Sequence, residues 1–144
     1  MAAVHLVVGC ALIALNLAAF AVGGIAWLRQ APSVPFWFLL RAAQGAVFLQ
    51  ALLGGSLLLT GHEPADEIHY LYGILPLIVS FLAEGARAGA AQRELGDIDF
   101  EALPASDQQA LALAIVRREM GIMAVSCGVI LFLGLRAAGT SGAF

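Results

Sequence analysis

Two histidines are the residues of this 144-residue chain best placed to do chemistry. His5 and His69 each begin an apolar stretch with the pattern His-x-x-x-Gly, which Gly9 and Gly73 complete. Opposed imidazoles from two helices can serve as the axial ligands of a haem iron. A glycine one helical turn from each imidazole would leave room for a flat porphyrin. The spacing makes a haem b site a candidate. The favoured interpretation is that both histidines are interfacial residues bonded to water, headgroups or backbone carbonyls.

A second candidate site is the polar turn between the second and third apolar runs. It holds His62, Glu63, Asp66 and Glu67, and His69 follows two residues later. Zn²⁺ accepts imidazole and carboxylate ligands, so His62, Asp66 and His69 are the candidate metal ligands. Seven residues and a proline turn separate the two histidines, which matches no standard metal-site spacing. A solvated acidic turn is the competing interpretation.

A carboxylate inside the membrane is the third candidate. Glu84 lies about 24 Å along a helix axis from Ile68. An intramembrane acid is a candidate functional site by default, and it could relay protons or bind a cationic substrate. The alternative is an ion-pair network at one depth, which would set the helix register. The predicted polar network contains Arg41, Glu84, Arg87, Arg117, Arg118 and Glu119. The arginines could instead hold anionic headgroups or a ligand phosphate.

The composition indicates whether these residues lie in water or in a membrane. Hydrophobic residues make up 61% of the chain and charged residues 12%, and the mean hydropathy is +0.91. A soluble domain is usually about 45–50% apolar and about 25% charged. The chain is therefore predicted to be an integral membrane protein, which excludes a disordered chain, a nucleic-acid binder and a water-soluble enzyme. Cys10 and Cys127 lie in apolar runs and do not form a disulfide framework.

Four apolar runs account for most of the length. One membrane span needs about 20 apolar residues. The runs predict helices over residues 4–28, 36–60, 68–95 and 107–137. The fold class is an all-α integral membrane protein, an antiparallel four-helix transmembrane bundle in a single domain over residues 1–144. Ser106 and Gln109 fit a capping box at the start of the fourth helix.

The basic residues, all arginines, predict the orientation. Six of them flank the first and third connections, and only Arg136 lies on the opposite side. Cytoplasmic loops carry an excess of basic residues. Loops one and three are therefore predicted to be cytoplasmic and both termini to lie outside, in the plasma (inner) membrane of a cell.

The two halves of the chain resemble each other at an offset of 64 residues. The aligned pairs are His5 with His69, Gly9 with Gly73, Asn16 with Ser80 and Arg29 with Arg93. They predict two tandem helical hairpins related by an axis along the membrane normal, with chance similarity as the alternative. Asn16 and Ser80 are predicted to hydrogen-bond between the first and third helices. Gly54, Gly55, Gly121 and Gly128 are predicted positions of close helix packing.

Three functions follow from these observations. The leading hypothesis is a small non-enzymatic accessory or scaffold subunit, whose small-residue faces pack against itself or a larger membrane complex. The second is a b-type haem electron carrier that uses His5 and His69. The third is a transporter or proton path that uses Glu84 and the arginine cluster. No nucleophile–base constellation or phosphate-binding loop occurs, so an enzyme is less favoured. The expected partners are the lipid bilayer and protein subunits, and no nucleic acid.

Overall fold

Four α-helices form the computed structural model, which describes residues 1–141. They are α1 (Ala2–Leu28), α2 (Val34–Leu59), α3 (Ile68–Leu95) and α4 (Ala105–Thr140), with a 3-10 turn at Phe100–Ala102 before α4. The four predicted helices are confirmed, and their bounds differ from the predicted ones by at most three residues. Each helix is long and apolar enough to cross a membrane. The all-α antiparallel four-helix fold is confirmed. Residues 142–144 of the predicted domain lie outside the described residues.

The first connection shows how proline can start a helix. α1 ends at Leu28, and Pro35 lies in the first turn of α2. The Ser33 hydroxyl accepts a hydrogen bond from the backbone N–H of Phe36 at 3.4 Å. Proline is tolerated here because the first backbone N–H groups of a helix have no intrahelical partner. Ser33 and Pro35 together therefore define the start of α2.

The start of α4 differs from the predicted capping box. The helix begins at Ala105 after Pro104, with no side-chain cap. The Pro104 carbonyl accepts the backbone N–H of Asp107 at 2.9 Å, while the Ser106 hydroxyl donates to the Asp107 carboxylate at 3.2 Å. Ser106 is thus already inside the first turn, where its side chain cannot cap the helix. The predicted pairing of Ser106 with Gln109 is wrong for this reason.

α4 is the central helix of the bundle. It packs closely against α1 and α3, and α1 also packs against α2, whereas the contact between α2 and α3 is looser. α4 buries eight residues, α2 four and α3 three. α2 and α3 therefore contribute fewer fully buried residues to the interior of the bundle than α4 does.

The apolar core has two parts along the bundle axis. The larger part includes Phe36 and Leu40 of α2 and Met120 and Met123 of α4, all essentially inaccessible. The smaller part brings together Leu12, Val47 and Ile130 from three different helices. The polar residues considered below lie at the two ends of the bundle and in the interior between these two parts.

Glycines allow α1 and α4 to approach closely. A Cβ atom at Gly121 would lie 2.7 Å from the indole Nε1 of Trp27, and one at Gly128 would lie 3.0 Å from the ring of Phe20. Real Cβ atoms do not approach other atoms this closely without displacing them. The predicted role of Gly121 and Gly128 in helix packing is therefore confirmed. A Cβ atom at Gly54 would lie 3.3 Å from His5, whereas one at Gly55 would meet nothing within 4 Å, so the prediction is wrong for Gly55 within the bundle.

Candidate functional site

The two candidate haem ligands lie together at one end of the bundle, which we call the histidine end. His5 is in the first turns of α1 and His69 in the first turn of α3. Their ring centroids are 6.3 Å apart, and the ring planes are inclined by 64°. A bond between a metal and an imidazole nitrogen is about 2.0 Å long, so two opposed imidazoles on one metal place their centroids roughly 6 Å apart. The separation of the rings thus fits shared ligation.

His5 has an incomplete set of hydrogen bonds. Its Nε2 atom lies 3.1 Å from the Nε2 atom of Gln50 on α2. Within residues 1–141, its Nδ1 atom is buried with no hydrogen-bond partner, as is the Oε1 atom of Gln50. Rotating the Gln50 amide by half a turn would exchange its donor and acceptor, but it would leave His5 Nδ1 without a partner. A buried polar atom without a partner calls for an explanation such as a ligand or ordered water.

His69 has a defined protonation pattern. Its Nδ1 atom lies 2.9 Å from the backbone carbonyl of Ala137 on α4, and the Thr140 hydroxyl lies 3.4 Å from the same nitrogen. A carbonyl oxygen can only accept, so Nδ1 donates its proton, and a neutral imidazole then keeps a lone pair on Nε2. When a histidine binds a metal through one ring nitrogen, a hydrogen bond from its other ring nitrogen, like the one from Nδ1 to Ala137, commonly orients the ring.

The glycines of the histidine end do not have equivalent roles. A Cβ atom at Gly9 would lie 3.1 Å from Gln50 Nε2, whereas one at Gly73 would meet nothing within 4 Å. Gly9 thus provides space for Gln50 rather than for a flat ligand. Haem ligation through His5 Nε2 would require Gln50 to move away, while His69 Nε2 is already available.

The three candidate metal ligands are not brought together. His62 Nδ1 lies 3.2 Å from the Thr60 hydroxyl, and the Asp66 carboxylate accepts the backbone N–H of Ile68 at 3.0 Å. His69 is engaged with Ala137, as described above. Among residues 1–141, no group of three His, Cys, Asp or Glu side chains is arranged to hold a metal ion.

Glu84 lies at the opposite end of the bundle, which we call the arginine end. Its Oε1 atom accepts from Arg41 Nη1 at 2.5 Å and from Gln44 Nε2 at 2.8 Å, and its Oε2 atom accepts from Arg87 Nε at 2.7 Å. Arg41 Nη1 also donates to Gln44 Oε1 at 2.6 Å. Three donors therefore engage both oxygens of one carboxylate and connect α2 with α3.

The remaining predicted members of the polar network have different positions. Glu119 contributes a longer contact, with its Oε2 atom 3.7 Å from Arg87 Nη1. Arg118 pairs instead with Glu94 of α3. Arg117 is exposed and forms no ion pair within residues 1–141. Successive helix residues point about 100° apart, so Glu119 faces the network whereas Arg117 and Arg118 do not.

The polar residues in the middle of the bundle bond within their own helices. Asn16 Nδ2 donates to the Leu12 carbonyl at 2.9 Å, and the Ser80 hydroxyl donates to the Pro76 carbonyl at 2.9 Å. The predicted bond between α1 and α3 through Asn16 and Ser80 is therefore wrong. Side chains of this kind compete for the carbonyl four residues earlier, which is always within reach.

A narrow interior cleft lies between these residues. The space between its lining atoms totals about 210 Å³, but at no point is it wide enough for a water molecule. Its polar lining comes from all four helices and comprises Asn16, Gln44, Ser80, Ser126 and Cys127. No water-filled passage therefore runs through this cleft.

Two glutamines of α2 were missed as candidate site residues. Gln44 bonds to Glu84 at the arginine end, and Gln50 lies against His5 at the histidine end. The available signal was that both are amides inside an otherwise apolar membrane helix, where polar side chains turn towards the bundle interior. Their partners depend on how α2 is rotated, which the local sequence does not specify.

Comparison of the chain with protein-family models, with characterised proteins and with solved structures gives no match.

Proposed function

We propose that this protein is a small non-enzymatic integral membrane protein that serves as an accessory or scaffold subunit of a membrane assembly. The observation that carries the proposal is the uneven packing of the bundle. α2 buries only one narrow face, formed by Phe36, Leu40, Ala43 and Val47. The exposed residues of α2 and α3 are left for lipid or for another protein.

Open glycines mark these outer surfaces as suitable for another helix. A Cβ atom at Gly45 or Gly55 of α2, or at Gly73 or Gly85 of α3, would meet nothing within 4 Å. Helices in membranes associate through small residues because these allow the backbones to approach closely. We call the four glycines the open-glycine surface. Its expected occupant is a second copy of this chain or a larger membrane complex.

The orientation belongs to the same proposal. The arginine end is inferred to face the cytoplasm and the histidine end the outside of the plasma (inner) membrane, because basic residues are retained on the cytoplasmic side. A duplicated hairpin is also inferred. Its support is the alignment of the two halves at an offset of 64 residues, in which His5 aligns with His69.

The scaffold proposal can be tested by placing a bulky side chain on the open-glycine surface. Gly45→Leu would place a bulky side chain on α2, and Gly24→Leu is the matched control because its position on α1 also has no atom within 4 Å of a built Cβ. The protein would be extracted in native lipid and examined by native mass spectrometry and cross-linking. Gly45→Leu is expected to reduce the associated fraction at least fivefold, and Gly24→Leu to leave it unchanged. A wild-type protein that is a clean monomer without bound subunits would refute the proposal.

A second candidate function is a b-type haem electron carrier. Its support is the 6.3 Å separation of the two imidazole rings. Haem would supply one-electron chemistry, and His5 and His69 would hold it. Protein purified from cells with ample haem should then show a Soret band that His69→Ala abolishes. His62→Ala should retain the band. A colourless wild-type protein would exclude this candidate.

A transporter or proton path through Glu84 is the third hypothesis. Its support is the depth of the carboxylate within α3, but the three donors on Glu84 and the water-free interior cleft favour a structural role. Flux in liposomes that Glu84→Gln stops without unfolding the bundle would favour transport. Absence of flux in the wild type would remove this hypothesis.

A further inference from the structure

An open groove lies on the outer surface between α1 and α4, near the arginine end. It has a volume of about 470 Å³ and is lined by Trp27, Arg118, Gly121, Ile122 and Val125. This size is within the range of small-molecule sites, roughly 300–1,000 Å³. We propose that the groove binds one anionic glycerophospholipid, with its phosphate near Arg118 and Trp27 and an acyl chain along α4.

The spacing of the lining residues makes the groove apolar along α4 and charged at the end that Arg118 occupies. Arg118, Ile122 and Val125 lie four and seven residues apart on α4 and so share one helix face. Gly121 lies on the same face, and its missing side chain is what allows the Trp27 indole to approach α4. A larger residue at Gly121 would displace the indole that forms one wall of the groove.

Donors at the charged end suit a phosphate group. The Arg118 side chain is 44% exposed and uses Nη1 to pair with Glu94, which leaves its other guanidinium N–H groups available. The Trp27 indole N–H has no hydrogen-bond partner within residues 1–141 and is 38% exposed as a residue. Tryptophan at this depth is typical of the boundary between hydrocarbon and headgroups.

Guanidinium groups border the groove and favour an anionic headgroup over a zwitterionic one. Arg117 lies one helical turn from Gly121, and Arg29 is the C-cap residue of α1, two positions after Trp27. With Arg118, they place three arginines on the segments that line the groove, and Glu94 is the acidic partner of Arg118. Anionic headgroups are concentrated in the cytoplasmic leaflet, where the proposed orientation places this end of the bundle.

A lipid fits this groove better than a protein helix. Ile122 and Val125 lie within a candidate membrane span, so in a bilayer the groove is exposed to acyl chains at high concentration. The lipid site rests on the proposed orientation but not on the scaffold contact, because the groove lies between α1 and α4, whereas the open-glycine surface is on α2 and α3. Loss of subunit association in the Gly45→Leu test would therefore leave the lipid site standing.

Trp27 provides the readout. The chain has two tryptophans, so Trp37→Phe leaves Trp27 as the only fluorescent indole. In this background the protein would be reconstituted with phosphatidylglycerol or phosphatidylcholine carrying brominated acyl chains, which quench tryptophan on contact. Quenching by the brominated phosphatidylglycerol at equal mole fraction is expected to be at least threefold greater. Arg118→Gln should lower this ratio towards one, and Glu94→Gln should raise it because Arg118 loses its competing partner.

Arg93→Gln is the matched control because it removes an exposed arginine at the same end of the bundle but on α3. It should leave the ratio unchanged, and circular dichroism should show that every variant is folded. Equal quenching by the two lipids in the Trp37→Phe protein would overturn the proposal. An equal loss of preference in Arg93→Gln would do so too, since it would indicate general surface charge. Competition by millimolar inorganic phosphate, or absence of quenching by either lipid, would likewise overturn it.

Discussion

Replacing Glu84 with glutamine distinguishes a structural arginine end from a functional one. The substitution keeps the size of the side chain but removes its charge and one of its two acceptor oxygens. Arg41, Gln44 and Arg87 would then compete for the remaining carbonyl oxygen. If the network holds α2 against α3, the variant should be clearly less stable than the wild type.

The expected loss follows from the exposure of each partner. Arg87 is 28% exposed and Glu84 29%, so their bond is partly shielded, and a hydrogen bond to a charged group contributes about 1.5–3 kcal/mol. Arg41 is 54% exposed, so its ion pair contributes only about 0–1 kcal/mol. Because the glutamine still accepts one bond, Glu84→Gln should lower the free energy of unfolding by about 2–3 kcal/mol.

Glu119→Gln is the matched control. It loses only the 3.7 Å contact with Arg87 and should cost less than about 1 kcal/mol. Both free energies would be measured by reversible unfolding in mixed micelles, followed by circular dichroism. If Glu84→Gln were as stable as Glu119→Gln, the structural interpretation would be refuted, and the carboxylate would again be a candidate for transport.

Three other substitutions test the packing and the polar contacts. Gly23→Ala should destabilise the bundle by about 1–3 kcal/mol, since the new Cβ would lie 2.4 Å from the Phe36 ring; Phe36→Leu in the same chain should recover part of the loss in the same unfolding assay. Arg136→Gln removes a guanidinium 5.6 Å from the centre of the Tyr72 ring and should lower the free energy of unfolding by about 0.5–1 kcal/mol. In a double-mutant cycle, Arg136→Gln should lose this contribution in the wild-type chain but not in a chain that already carries Tyr72→Leu. Arg118→Gln should cost less than about 1 kcal/mol because the Arg118 side chain is 44% exposed, and a larger loss on thermal unfolding would contradict this.

The helices could be predicted from the sequence because they depend on local properties. Apolar length and proline positions are readable in a single segment, and helix α3 has the predicted bounds Ile68–Leu95. The start of α4 was misjudged because the Ser106 pattern competes with Pro104 for the same turn, and the proline carbonyl accepts the first backbone N–H. Two overlapping local signals cannot be ranked from residue types alone.

The sequence predicts which candidate-site residues lie at the same depth in the membrane, but not which of them are in contact. His5 and His69 meet because parallel helices of equal register bring their first turns to one level, and Glu84 meets arginines because they share its depth. The rotation of each helix decides which neighbours then touch. That rotation depends on packing such as the contact of Gly23 with Phe36, which no local pattern encodes. Gln50 and the position of Arg117 were missed for this reason.

Different polar contacts connect different pairs of helices in the bundle. At the histidine end, the bond between His5 and Gln50 lies within the α1–α2 pair, and that between His69 and Ala137 lies within the α3–α4 pair. α1 and α4 join the two pairs through apolar contact at close range. α2 and α3 pack loosely, and Glu84 connects them through Arg41 and Gln44.

This division explains why an ion-pair network occurs inside a membrane helix. In lipid, apolar surfaces gain little by meeting each other, because lipid tails solvate them equally well, whereas polar groups gain by avoiding hydrocarbon. A loosely packed pair of helices can therefore keep its register through one polar connection and leave the rest of both surfaces free. A separation of α2 from α3 in Glu84→Gln, detected as increased cross-linking reach between the two helices with α1–α4 distances unchanged, would show that the open-glycine surface depends on this connection.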